Sequence, residues 1–511
     1  MPTSLRIRAF AACSAALAIT ATATASATPG HHDPLARFHH QRIDWHPCAL
    51  GPDDDTGQAL DAAGADCADL TVPLDYGDPG GRTITVAISR LRGADTAHHV
   101  GPLLLNDGGP AGVSLHMPVT KSEVMGDAAD RFDLIGMDPR FVGRSTPLDC
   151  GWDHGSAFMR SAGSDRAAYR QEVAAARDMA ERCARTNGDV LPYVTTRNTA
   201  RDMDVIRAAL GADRLSYLGY SYGGYLGQVY SQLFPGRTDR MVLDSVSDAA
   251  RYQPNLLRGA EAANEAALRA WASWTADRDR AYGLGDTRRK VLATVDHILD
   301  AAAREPLRIG DTFTLDEHML PALLIGGLGS DLDERRADLA AIVGVLARAA
   351  DGEPVEPSEA LAGQLAFLLT DAGSASSSQM AAILCGDAAQ RQGTASYWRD
   401  VEASRARFPL AGPLAENITP CEFWGRPAEA PTVLDNDTPA LLVSATGDPR
   451  TIHPAAEALR ERWPSSRLLT VTGARQHGLY GEYGNACVDT RVTTYLRTGR
   501  LPAHDPSCRA V

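Results

Sequence analysis

Residues 215–234 read LSYLGYSYGGYLGQVYSQLF. The run Leu215 to Gly219 is a short apolar strand bounded by a turn signal. Residues 225–234 return to helical character and stop at Pro235-Gly236. Between them lies Gly219-Tyr220-Ser221-Tyr222-Gly223-Gly224, a serine flanked by glycines at the junction of a strand and a helix. A GxSxG pattern alone is a weak signal, but this context is the one a nucleophile elbow requires. The turn is so tight that neighbouring Cβ atoms would clash, which is why glycines flank the serine. The alternative is a glycine turn in an inert crossover.

Working outward, the same grammar repeats. Strand-like runs occur at 70–76, 83–90, 102–106, 132–137 and 240–246. Residues 199–210 place Met203, Ile206 and Leu210 on one helical face, and Gly211 supplies the stop. From 249 to about 425 the chain is rich in Ala and Leu, and 258–276, 286–303, 331–349 and 358–370 read as helices. Strand character returns at 440–445 and 467–472, with a helix at 454–462 between them. Alternating strands and helices predict an α/β fold with a mostly parallel sheet. The expected organisation is a core over 28–248, a helical lid inserted over 249–430, and the rest of the core over 431–511. The lid is expected to fold over the C-terminal edge of the strands, where open α/β sheets place their sites.

A serine hydroxyl is a poor nucleophile until a base takes its proton. The partners are expected in the order Ser, acid, His. Asp448 follows strand 440–445 in Gly447-Asp448-Pro449, and His477 follows strand 467–472 in Gly473-Ala474-Arg475-Gln476-His477-Gly478. Both thus fall on the rim that carries Ser221. His477 is read as general base and then acid, and Asp448 as the group that orients it. Asp244, one strand earlier, competes for the acid's role. The oxyanion donors are expected to be the backbone N–H of Tyr222 and that of Gly109 or its neighbour, in the turn Asp107-Gly108-Gly109-Pro110-Ala111-Gly112. A phosphate loop is excluded because no GK[ST] follows. Arg140 is read as a salt-bridge residue, with bracing of the oxyanion turn as a second possibility. No cofactor and no metal are expected. Histidines at 31, 32, 39, 40 and 46 read as an exposed polar arm, and no Cys or acid spacing sharpens a metal reading.

The chain has 511 residues, 50 basic and 64 acidic, for a formal charge of −14. Such an excess of acid disfavours binding to a nucleic-acid duplex and argues against a polybasic membrane patch. Arg6 and Arg8, the apolar run 9–23 and Ala25-Ser26-Ala27 read as a signal peptide over 1–27, so a secreted, extracellular protein is expected. No later segment reads as a membrane span. Cys13 lies within that signal; a lipoprotein box is the competing reading, but the apolar run continues past it. The other eight cysteines are 48, 67, 150, 183, 385, 421, 487 and 508. An even number in an exported protein predicts disulfides. Neighbour pairing gives 48–67, 150–183, 385–421 and 487–508, one of many connectivities that eight cysteines allow.

Taken together, these residues resemble the secreted tripeptidyl aminopeptidases of actinobacteria. The resemblance rests on Asp44 to Cys48, Leu70 to Tyr76, Asn106 to Gly112, Asp138-Pro139-Arg140, Gly143-Arg144-Ser145, Gly219 to Gly224, Leu243-Asp244, Gly447-Asp448-Pro449, and Gly473 to Gly478 with Cys487 and Cys508. It implies an α/β-hydrolase fold with a proline-iminopeptidase-like arrangement. It also implies removal of short peptides from a free N-terminus, and Ser221, Asp448 and His477 match the family triad. A carboxylesterase or amidase acting on small acyl substrates is the alternative, since the same frame hosts both. Three positions depart from the pattern. Asp107 stands where proline is usual, Ala111 where glycine is usual, and Phe141 where glycine usually follows the Pro-Arg pair. The added carboxylate of Asp107 is expected either to bind a substrate amine or to reshape the turn. Acids of the insertion, including Glu261, Glu265, Glu317 and Asp387, are other candidates for holding an ammonium.

Overall fold

The computed structural model describes residues 33–156, 158–248, 255–435 and 437–511. The expected signal peptide, Cys13, His31 and His32 lie outside the described residues. One large sheet runs through the molecule. Its strands are β1 (Asp66–Pro73), β2 (Thr83–Leu91), β3 (Gly101–Asn106), β4 (Phe132–Met137), β5 (Leu215–Tyr220), β6 (Thr238–Asp244), β9 (Leu441–Ala445), β10 (Arg467–Thr472) and β11 (Ser507–Arg509). They lie in the order β1-β2-β4-β3-β5-β6-β9-β10-β11. β1 pairs with β2, and β2 with β4, antiparallel. Every pairing from β4 to β11 is parallel. The remaining strands, β7 (Leu307–Ile309) and β8 (Phe313–Leu315), form a separate small hairpin. This is the α/β-hydrolase fold expected from the alternation of strands and helices.

The central strands are buried on both faces, as parallel strands between helical layers must be. In β3, Leu104 packs in one apolar cluster, with the helices Thr196–Ala209 and Tyr222–Leu233. Leu103 and Leu105 point to the opposite cluster, with the helix Ala486–Thr498. That is the two-residue period of a strand. Helix ends follow side-chain chemistry. Thr195 accepts from the Asn198 N–H at the start of Thr196–Ala209, and Asn485 caps Ala486–Thr498, which ends at left-handed Gly499.

Between β6 and β9 the chain is mostly helical. The four expected helices occur as Glu261–Ala276, Arg288–Arg304, Asp333–Ala350 and Glu359–Leu369. Besides two four-residue turns of helix, Asp279–Tyr282 and Gly412–Ala415, three longer helices were not legible: Leu320–Gly327, Ser374–Asp387 and Thr394–Arg405. Leu320–Gly327 is short and mostly buried, and Ser374–Asp387 is buried around most of its circumference, so neither shows a polar stripe. Much of this region packs around its own apolar cluster, which includes Trp271, Val295, Leu324 and Val343. Ser374–Asp387 is different: Ala381 to Cys385 join the cluster against the sheet. Cysteine pairs 48–67, 150–183, 385–421 and 487–508 are bonded. No helix among the described residues is long and apolar enough to cross a membrane.

Candidate active site

Ser221 occupies the single residue between β5 and the helix Tyr222–Leu233. Its backbone sits at φ 55°, ψ −118°. A non-glycine residue there is strained, and the surrounding structure must hold it. Two hydrogen bonds do so: Ser221 N–H donates to the Asp244 carbonyl at 2.9 Å, and Gly224 N–H to the Ser221 carbonyl at 2.8 Å. The glycines are sterically required. A Cβ on Gly219 would lie 2.6 Å from the Gly223 carbonyl oxygen, and one on Gly223 would lie 2.7 Å from Asn106 Oδ1. The turn after β3 backs directly onto this elbow. A Cβ on Gly108, at φ +95°, would meet the Tyr220 carbonyl oxygen at 2.3 Å and Ser221 Cβ at 3.2 Å. Among the described residues, neither the Tyr222 nor the Gly109 N–H has a hydrogen-bond acceptor, and both residues line the cavity beside Ser221.

His477 and Asp448 meet at the ends of β10 and β9. His477 Nδ1 lies 2.9 Å from Asp448 Oδ2 and 3.1 Å from Oδ1. The carboxylate is fully buried and also accepts from the Arg450 N–H at 2.7 Å, the Thr451 N–H at 3.1 Å and the Thr451 hydroxyl at 2.7 Å. Burial works against its charge. The His477 ring, with the Arg450 N–H and Thr451 hydroxyl, outweighs burial and holds the carboxyl below its ordinary value.

Asp244, the competing acid, does not meet His477 Nδ1. Its carboxylate accepts from the N–H groups of Leu479 and Tyr480 and from the Ser245 hydroxyl, while Ser245 Oγ accepts from Gly478 N–H at 2.8 Å. Asp244 and Ser245 therefore moor the loop that carries His477. Burial pushes the Asp244 carboxyl up to about 6, against those hydrogen bonds.

Arg140 does not reach the turn after β3, where an oxyanion donor is expected. It is completely buried and makes a two-pronged ion pair with Asp202, at 2.6 and 2.7 Å, on the helix Thr196–Ala209. Asp138 supports the turn instead: it accepts from Ser114 N–H, and Ser114 Oγ accepts from Asp107 N–H at 3.0 Å. Two of the family departures fall where the backbone favours glycine, since Ala111 has φ 72° and Phe141 has φ 66°.

Ser221, His477, Tyr222 and Gly109 line one cavity of about 350 Å3. Its walls are largely apolar, with Phe158, Tyr225, Leu257 and Met380 among them. Residues 255–257 and 380 come from the segment between β6 and β9, which thus roofs the strand ends. None of Glu261, Glu265, Glu317 and Asp387 is a lining residue. Glu265 accepts from Leu410 and Ala411 N–H, Glu317 from Ser164 N–H, and Asp387 from Thr196, while Glu261 lies beside Glu416 and helps to raise its carboxyl.

Two charged lining residues stand out. Arg450 was not read from the sequence, because an arginine after Asp-Pro carries no periodic or motif signal. Its guanidinium reaches Asn264 Oδ1 at 3.0 Å and the carbonyls of Ile325 and Gly326, and burial pulls it down to about 10. Asp107 lines the cavity and is exposed to solvent. Neighbouring protein raises its carboxyl above the ordinary value, while His116, Lys121 and His477 pull the other way.

The fold and this serine elbow define an α/β hydrolase, and comparison with known proteins places it more closely. A family model described as alpha/beta hydrolase fold matches residues 101–290, and one described as TAP-like protein matches residues 409–508. The chain is 36% identical over 505 residues to a tripeptidyl aminopeptidase of Streptomyces lividans, covering 93% of this chain and 88% of that one. A serine protease of Mycobacterium bovis is 28% identical, with 92% and 91% covered. A carboxylesterase B of Mycobacterium tuberculosis is 28% identical, with 87% and 86% covered. The chain belongs to the tripeptidyl aminopeptidase family of α/β hydrolases.

Proposed function

We propose that the protein is an exported serine exopeptidase that removes short peptides, tripeptides foremost, from free N-termini. The observation that carries this reading is the convergence of Ser221 and the His477–Asp448 pair on one roofed cavity. Ser221 Oγ attacks the scissile carbonyl carbon while its proton passes to His477 Nε2. The negative charge that develops on the carbonyl oxygen is met by the N–H groups of Tyr222 and Gly109. The C–N bond then breaks as His477 gives its proton to the leaving amine. Water, deprotonated by His477, attacks the acyl carbon, and the bond to Ser221 Oγ then breaks as His477 returns the proton to it. Asp448 fixes the imidazole tautomer and stabilises the imidazolium, for which its buried charge is suited. The segment 249–430 acts as the lid, and chain cleavage after Ala27 accompanies export; the four disulfides support an oxidising destination.

The family relationship favours a peptide over an ester, as the relative with higher identity is a tripeptidyl aminopeptidase. The test is release of a chromophore from Ala-Pro-Ala substrates. Free-amine versions are expected to be cleaved and N-acetylated ones poorly cleaved. Equal cleavage of blocked peptides would reject exopeptidase action, and a preference for short-chain p-nitrophenyl esters over every free-amine peptide would establish the esterase alternative.

A further inference from the structure

We propose that Asp107 is a specificity-determining residue that receives a cationic group of the substrate, an ammonium or guanidinium, in the cavity that holds Ser221. The inference rests on Ser221 being the nucleophile of the cavity.

Asp107 is the one carboxylate among the described residues that line this cavity. It immediately precedes Gly108, whose backbone packs against Tyr220 and Ser221. Its place along the turn is held through the backbone, by donation from Asp107 N–H to Ser114 Oγ. Its carboxylate, in contrast, accepts no hydrogen bond among the described residues. Every other acid near the reacting groups is occupied. Asp448 holds His477, Asp244 holds the N–H groups of Leu479 and Tyr480, and Glu482 pairs with Lys121. That pairing also removes the nearest ammonium as a partner for Asp107, because Lys121 is buried between Glu482 and the Tyr220 ring, 4.7 Å from its centre. Arg450 is directed to Asn264 and to the carbonyls of Ile325 and Gly326.

Asp107 is exposed to solvent at the cavity, so its carboxylate is free to meet an incoming cation. A charge-assisted hydrogen bond made there discriminates between charged and neutral ligands, since a neutral group finds only the largely apolar walls beside it. The cation could come from two places: the α-ammonium of the acyl portion, or a basic side chain on the leaving portion, which departs on the His477 side.

Three matched pairs of substrates separate these sources. The first is Ala-Pro-Ala against N-acetyl-Ala-Pro-Ala on the same chromophore. The second is a peptide with lysine against one with norleucine just after the scissile bond. The third is alanyl against propionyl p-nitrophenyl ester, which needs no peptidase activity. Wild-type protein is expected to prefer the cationic member of at least one pair. Asp107→Asn is expected to lower kcat/KM for that member by about 10- to 100-fold, chiefly through KM, with little change for the neutral member. Asp107→Glu should restore part of the preference. The pair that responds identifies the source of the cation. Absence of any cationic preference in wild type, or an equal loss for both members in Asp107→Asn, would overturn the proposal. An Asp107-dependent preference on the esters, with free-amine and N-acetylated peptides cleaved equally, would keep it while rejecting the exopeptidase reading.

Discussion

Two aspartates near His477 divide the work between them. Asp448 faces Nδ1, and Asp244 ties down the loop two and three residues further on. Asp448→Asn is expected to lower kcat by about 10⁴-fold with little change in KM, because an amide stabilises the wrong tautomer and cannot balance an imidazolium. Asp244→Asn is expected to act mainly through stability, lowering Tm by mooring the 478–480 segment less well, with a much smaller fall in kcat once folded protein is compared. Steady-state kinetics and thermal melts on both variants check this, and a larger kcat loss in Asp244→Asn would reverse the assignment. At this scale the sequence was informative wherever chemistry imposes a motif. Ser221 announces itself by its glycines, and Asp448 and His477 by falling just past strands. Arg450 and the partners of the insertion's acids left no such trace, since they depend on which helix faces lie over the cavity.

Elements carry the site through a few buried polar ties. Arg140, at the end of β4, is joined to Asp202 on the helix Thr196–Ala209, and Tyr76 donates its hydroxyl to the same carboxylate at 2.7 Å. The tie spans the sheet edge and the helix that packs beside the elbow helix. Removing one partner leaves the other charge buried without compensation, so Asp202→Ala is expected to cost about 3–5 kcal/mol by denaturant unfolding. A cost near zero would mean that the pair contributes only geometry. Sequence patterning located the central strands well because burial on both faces makes them continuous apolar runs, as in Leu103-Leu104-Leu105, while edge strand β1 begins four residues before the expected run and the three-residue β11 gave no pattern. It missed Ser374–Asp387 and the long helix Arg166–Asn187 for opposite reasons. The first is buried on nearly all sides, and the second does present a buried stripe, Ala176, Met179, Ala180 and Cys183, but half of it is alanine on an otherwise charged helix.

The whole molecule is a sheet whose continuity is interrupted in sequence but not in space, since β6 and β9 lie side by side across nearly 200 residues of chain. The return from the insertion is pinned by Glu429, which bonds Arg197 and Arg201. Those arginines hold its carboxyl down to about 2, from an ordinary value of 4.5. A depressed carboxyl stabilises the folded state when charged in both states, so the contribution is complete above about pH 4.5 and fades as pH falls toward 2. The Tm gap between wild type and Glu429→Gln is expected to be full at neutral pH and to close over that window. A gap independent of pH would show that the ion pairs do not support the fold. The acidity of the chain bears on partners and solubility, and had no part in locating the site.

The central claim is that Ser221 is the nucleophile, activated by His477. Reaction with a fluorophosphonate followed by peptide mapping tests it most directly. One adduct on Ser221 is expected, formed far more slowly in His477→Ala. An adduct on another serine, or labelling of Ser221 at an unchanged rate without His477, would contradict the account.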